Sequence, residues 1–269
     1  MTLIEGIVLG VVQGLTEFLP ISSSGHLAIL SQLFGIQEGN LFYSIMLHFS
    51  TLIAVIIYFR KDIIRLFFAL YSLVKKIAAR KQLKFDLYER LVLLIIAGTI
   101  PTVIIGLGFG DLFEFLYTDL KFVGYALILT GILLLFSEKI GKRSLDLSKV
   151  SYPKAMIIGV FQGLAIAPGI SRSGSTIVGA LFVGLNREEA ARFSFLLSIP
   201  AIFGATLLEV FSIDSANVAF DASLIAGMLC AFTAGIFSIG ILMNLIKKGK
   251  LYYFSIYVFI LGLFTILIL

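Results

Sequence analysis

The chain has 269 residues, 59% of them hydrophobic and only 14% charged, with a mean hydropathy of +1.06. Those values exclude a soluble domain and specify a polytopic membrane protein. The net charge of +5 does not point to nucleic acid, because the basic residues lie in short loops between apolar runs, where they orient the chain in the bilayer.

The N-terminal stretch, MTLIEGIVLGVVQGLTEFLP, lacks a basic n-region and carries Glu5 and Glu17, so it reads as mature protein rather than a secretory signal. It then breaks at residues 18–29, FLPISSSGHLAI, where an apolar run admits a proline, three serines, a glycine and one of only two histidines. Six segments follow that are long enough to span a hydrocarbon core: 41–59, 91–109, 122–138, 193–211, 222–243 and 251–269. Residues 60–90 between the first two carry nine Lys and Arg, which places them in the cytoplasm, and 61–81 is amphipathic enough to lie along the inner surface. Residues 139–154 add five more basic residues, and KKGK at 247–250 adds three. The loops 110–120 (Asp111, Glu114, Asp119) and 212–221 (Asp214, Asp221) hold acids and no Lys or Arg, and read as external. Cys230 stands alone, so no intramolecular disulfide exists.

Parity constrains the two remaining stretches. Residues 155–192 leave a cytoplasmic loop and must return to the cytoplasm, which makes them a re-entrant hairpin. Residues 1–40, built the same way, enter and leave from outside, and both termini are then external. The two stretches resemble one another without gaps: GVVQGLTEFLPISSSGH (10–26) against GVFQGLAIAPGISRSGS (159–175) is identical at nine of seventeen positions. The matches include Gln13 with Gln162, Ser22 with Ser171, Ser24 with Ser173 and Gly25 with Gly174. Each copy precedes three spans of opposite orientation. The predicted fold is therefore an all-α polytopic membrane protein with an inverted-topology repeat. Residues 1–138 form repeat 1, with its hairpin at 1–40, and 155–269 form repeat 2, with its hairpin at 155–192; the hairpins meet at a central site.

Broken helices are tolerated at membrane depth where they line a protein-enclosed or wet cavity. Here Pro and Gly end one half-helix and serines stand ready to cap the next, so that two helix N-termini offer N–H groups to an anion, phosphate above all. The copies differ where chemistry would: Glu17 faces Ile166, Ser23 faces Arg172 and His26 faces Ser175. One hairpin thus supplies acid, hydroxyl and imidazole, and the other the cation. Arg172 either binds phosphate through its planar fork or pairs with Glu17 to hold the hairpins together. His26 beside Glu17 suits proton transfer. Gln13 bonds across the hairpin interface or contacts the ligand. Ser22, Ser24, Ser171 and Ser173 are caps or phosphate contacts. His48 in MLHFST is read as structural or supporting, and Glu209 is left unassigned.

At QGLTEFLPISSSGH and PGISRSGST the chain resembles the bacterial undecaprenyl-diphosphate phosphatases of the bacitracin-resistance type, and the resemblance covers essentially its whole length. It implies hydrolysis of undecaprenyl diphosphate to the monophosphate and inorganic phosphate at the outer face of the bacterial cytoplasmic membrane. That reaction recycles the carrier lipid for peptidoglycan synthesis and confers resistance to bacitracin, which competes for the substrate. It carries over Glu17, Ser23, His26 and Arg172 as catalytic. Ser171, Ser173 and Thr176, with Ser22, Ser24 and Gln13, are carried over as diphosphate-binding. The family's signature admits Glu or Gln where this chain has Gln13, so a divalent cation, Mg2+ or Ca2+, would be held by Glu17 with substrate oxygens. The implied partners are the isoprenyl diphosphate lipid and the phospholipid bilayer; homodimerisation is left open. His26 would act as base for Ser23, base for water or acid for the leaving group, and Glu17 would orient His26 or hold the metal. The alternative is a flippase or ion-coupled transporter of a lipid phosphate, because inverted repeats with broken helices are above all a transporter architecture.

Overall fold

A computed structural model describes residues 2–35, 41–79, 84–140, 144–212 and 221–269. Eleven α-helices fill these residues, with no strand among them. In order they are α1 (Leu3–Phe18), α2 (Ser23–Phe34), α3 (Leu41–Tyr58), α4 (Arg60–Ala78), α5 (Leu87–Tyr117), α6 (Leu120–Lys139), α7 (Tyr152–Leu164), α8 (Arg172–Phe182), α9 (Arg187–Ser212), α10 (Ala222–Lys247) and α11 (Tyr252–Ile268).

Local chemistry sets their ends. Thr2 with Glu5 and Asp86 with Glu89 form capping boxes that start α1 and α5. Asp119 and Asp221 accept from the first free N–H groups of α6 and α10. Every predicted segment is a helix, and α4 follows α3 after an 86° bend, as an amphipathic helix running along an interface should. Four helices (α5, α6, α9, α10) are long and apolar enough to cross a membrane, or five if α3 and α4 count as one broken span. The six predicted spans thus include two short ones. At 1.5 Å per residue, α3 with 18 residues and α11 with 17 cover only about 26 Å each, the low end for a spanning helix. A second departure lies at 110–120, expected as an external loop. Its first eight residues continue α5, because DLFEFLY offers helix formers and no breaker, and the chain turns only at Thr118. Glu209 has no described side chain, and Asp214 lies outside the described residues.

The packing pairs helices across the two halves. α1 packs on α10 as α7 packs on α5; α6 lies along α11, and α3 along α9. Small residues make these approaches possible. A Cβ on Gly10 would strike Gly227 of α10, and one on Gly159, its aligned partner, would strike Gly98 of α5. Gly124 on α6 and Gly262 on α11 each face the other's carbonyl. This is close packing of backbones, which membrane helices use where no hydrophobic effect separates protein from lipid. The largest buried cluster, around Phe18, Phe193, Phe195, Leu197 and Ile239, includes Phe18 at the end of α1 and Ile177 of α8, helices that flank the two breaks.

Candidate active site

The two breaks are built alike. After α1 the chain turns through Leu19–Ile21, and the side chain of Ser22 accepts from Gly25 N at 3.2 Å to start α2. After α7 it turns through Gly169, at φ 87°, and Ser171 accepts from Gly174 N at 3.1 Å to start α8. Ser22 sits at φ 69°, the only non-glycine with positive φ among the described residues, a strained conformation of the kind held in place at functional sites. Each break also clasps the other. Ser24 Oγ accepts from Gly169 N at 3.3 Å, while its counterpart Ser173 donates to the Leu19 carbonyl at 3.1 Å. The N-termini of α2 and α8 are thereby fixed side by side.

At this seam the asymmetric residues meet around Glu17, which is buried. Arg172 Nη2 donates to Glu17 Oε1 at 2.5 Å. The other oxygen, Oε2, accepts from Ser23 Oγ at 2.6 Å and from Gln13 Nε2 at 2.9 Å, and faces His48 Nε2 at 3.7 Å. The Arg172–Glu17 pair that the sequence reading weighed against substrate binding is therefore present. It uses only half the guanidinium fork: Nη1 is buried with no protein partner and remains an available donor. Ser23, Ser24 and Arg172 retain partial exposure, so an incoming group can reach them.

His26 is placed differently from expectation. Its Nδ1 bonds the Ser22 carbonyl at 2.7 Å, which makes Nδ1 the protonated nitrogen of the neutral ring, and Nε2 accepts from the Tyr257 hydroxyl at 2.7 Å. The two ring planes lie nearly parallel, 13° apart. The group that orients His26 is thus Tyr257 of α11, and Ser23 directs its proton to Glu17 instead. Tyr257 was not nominated by the sequence, where nothing in a continuous apolar run sets it apart; the one available signal was a tyrosine hydroxyl in a spanning segment.

The remaining hydroxyls serve the scaffold. Ser22 and Ser171 are caps, Ser173 is part of the clasp, and all three are buried. Thr176 bonds the Arg172 carbonyl at 2.8 Å and also Ser194 of α9, so it ties α8 to α9. Gln162, the counterpart of Gln13, reaches Thr102 at 3.2 Å on α5.

These residues do not fit a protein-bound divalent cation. In the resting protein Glu17 is paired with Arg172 and bonded by Ser23 and Gln13, and among the described residues no three His, Cys, Asp or Glu side chains gather to hold an ion. The expected cation, held by Glu17 with substrate oxygens, would therefore have no second carboxylate of this chain beside it among the described residues. What the cluster offers is a hydroxyl bonded to a carboxylate, beside a guanidinium with a free edge and two helix N-termini. That set suits nucleophilic attack on a phosphoryl group.

Comparison with known proteins gives the same direction. The family model described as bacitracin resistance protein BacA matches residues 6–264. An undecaprenyl-diphosphatase of Alkaliphilus metalliredigens is 48% identical, over 99% of this chain and 98% of its own length. One of Carboxydothermus hydrogenoformans is 45% identical over 100% and 98%, and one of Desulfosudis oleivorans 44% over 96% and 96%.

Proposed function

The chain belongs to the bacitracin resistance protein BacA family, and from that membership we propose that it hydrolyses undecaprenyl diphosphate to undecaprenyl phosphate and inorganic phosphate. The observation that carries the chemistry is the 2.6 Å bond from Ser23 Oγ to Glu17 Oε2, with Arg172 on the carboxylate's other oxygen. In the resting protein that ion pair supplies Glu17 with its counter-charge. An arriving diphosphate competes for the guanidinium. As Arg172 turns toward the phosphate, Glu17 loses its counter-charge and becomes able to take the proton of Ser23.

Ser23 Oγ then bonds the terminal phosphorus, and the bridging P–O bond breaks, its electron pair leaving with undecaprenyl phosphate. Water attacks the phosphoserine, inorganic phosphate departs, and the hydroxyl is restored with a proton. Arg172 and the N–H groups at the starts of α2 and α8 stabilise the charge on the transferring phosphoryl oxygens. His26, with Nδ1 committed to Ser22, acts through Nε2, the nitrogen that Tyr257 holds.

The substrate reaches the seam from the bilayer, at the outer face of the cytoplasmic membrane, with both termini external and residues 1–138 and 155–269 forming inverted repeats. The aligned breaks and the exchange of helix partners between halves support that arrangement. Bacitracin resistance follows from processing the lipid that the antibiotic also binds.

The test is phosphate release by the purified protein in detergent from a long-chain isoprenyl diphosphate. Ser23→Ala is expected to lose at least about 100-fold in rate, the lower range for removing a central catalytic group, and wild type quenched in turnover to carry phosphate on Ser23. Hydrolysis surviving in Ser23→Ala would exclude the covalent route.

A further inference from the structure

Glu17 Oε2, the oxygen that receives the Ser23 hydroxyl, also faces a second histidine. His48 Nδ1 bonds the Ser44 carbonyl at 2.9 Å, four residues back along α3, so in the neutral ring Nδ1 carries the proton. Its Nε2 lone pair is then aimed at the carboxylate, 3.7 Å away. Lone pair against carboxylate is repulsive until one proton enters the gap, after which the same contact is an ion pair. His26 differs on this point, because its Nε2 is already satisfied by Tyr257. The poised imidazole is therefore the one that sequence reasoning assigned a supporting part. We propose that His48 is the terminal proton acceptor of the reaction: a Ser23–Glu17–His48 relay in which Glu17 passes the proton of Ser23 to His48 Nε2.

The proposal rests on the hydrolase reading above and adds a place for the proton. Glu17 must be ionised again before Arg172 can return to it, so the carboxylate is a poor place to leave the proton, whereas imidazoles change charge between about pH 5 and 8. As Ser23 Oγ bonds phosphorus, its proton moves to Glu17 and on to Nε2, giving an imidazolium beside a regenerated carboxylate. When water cleaves the phosphoserine, the proton returns along the same atoms to Ser23 Oγ. The 3.7 Å separation is longer than a hydrogen bond, but catalytic contacts often close only once substrate is bound. The side chain is 31% exposed, more than Glu17 at 4% or Arg172 at 18%, so it can exchange its proton outward.

Surrounding charges do not compete with this pairing. Of the helices packed on α3, α1 supplies Glu17. α4 and α9 place Asp62 and Arg192 together beyond the far end of α3, about 15 Å of helix from His48, with Arg60, Lys61, Arg65, Arg187, Glu188 and Glu189 in the same end regions. α10 carries Asp221 and Lys247 only at its two ends.

The experiment compares wild type, His48→Gln and His48→Ala in the same phosphate-release assay between pH 5 and 9. His48→Gln keeps a polar group against Glu17 but cannot accept a proton. It is expected to lose about 10- to 100-fold in kcat, at or below the lower range for acid–base groups. KM should stay within about threefold, and the wild-type rise in rate with pH across the imidazole range should flatten. His48→Ala is expected to recover activity with added imidazole, an effect that a purely structural role would not produce. Wild-type kcat and pH dependence in His48→Gln, with no imidazole rescue of His48→Ala, would overturn the relay and leave the hydrolase reading intact. No phosphate release by wild type would overturn both.

Discussion

Arg172 holds two jobs that only a guanidinium can combine. One nitrogen neutralises Glu17 and the other is left free, so the side chain can transfer from carboxylate to phosphate without being bare of a partner at either stage. Lysine carries the charge but not the fork. Arg172→Lys is therefore expected to fold, with an unfolding midpoint in detergent close to wild type, and to lose about 100-fold in kcat/KM, the order expected for one transition-state donor. A loss confined to stability, with kcat/KM kept, would reduce the ion pair to a structural tie. Glu17, Ser23 and Arg172 were legible in the sequence because they are the positions where two otherwise similar breaks disagree. Tyr257 and the closeness of His48 were not. Both depend on which helices become neighbours, and Tyr257 reaches His26 from the far end of the chain. The duties of Ser22, Ser171, Ser173 and Thr176 were also hidden. Their residue type suits a cap and a phosphate contact equally, and only burial separates the two.

At the scale of elements, the hairpins are set by glycine rather than by side-chain interlock. The pairs Gly10–Gly227 and Gly159–Gly98 bring backbones into direct contact, with no space for even one methyl group. Gly159→Ala must push α7 off α5, and a cost of about 1–3 kcal/mol is expected, as for other overpacked contacts. Gly10→Ala should cost a similar amount at α10. Gly204→Ala, where the added carbon meets open space, should be neutral or slightly stabilising through helix propensity. Thermal unfolding of the three variants in detergent checks the order. Comparable midpoints for Gly159→Ala and Gly204→Ala would mean that the helices are not held at this spacing. Helix positions were legible from apolar runs and polar breaks, because hydrocarbon length leaves few alternatives. Helix ends were less so: α5 runs on through Asp111 and Glu114 because charge does not terminate a helix when the neighbouring residues favour one.

For the whole molecule, charge and parity predict external termini at both ends. With Cys230 replaced by alanine, a cysteine at Thr2 or at Leu269 is expected to react with a membrane-impermeant maleimide on intact cells, and one at Lys75 only after the membrane is opened. Labelling at one terminus alone would break the inverted arrangement. The basic side of the molecule is also tied internally. Asp62 of α4 binds Arg192 of α9 at 2.5 Å, and Glu89 of α5 binds Lys76 at 2.6 Å, so α4 is fastened at both ends to the bundle. No local pattern marks those ties in the sequence, since the basic segments carry many charges and only the fold selects which of them pair.

The meeting of Gly124 and Gly262 bears on how the chain can change over generations. Each glycine guards the same gap from opposite sides, so a carbon added at either one closes it for both. The two positions, distant in sequence, are therefore expected to be non-additive: once one has changed and the helices have moved apart, a change at the other should cost less than it does alone. A pair of helices related in this way makes the two halves of one polypeptide dependent on each other's history, as separate subunits of a symmetric dimer would be.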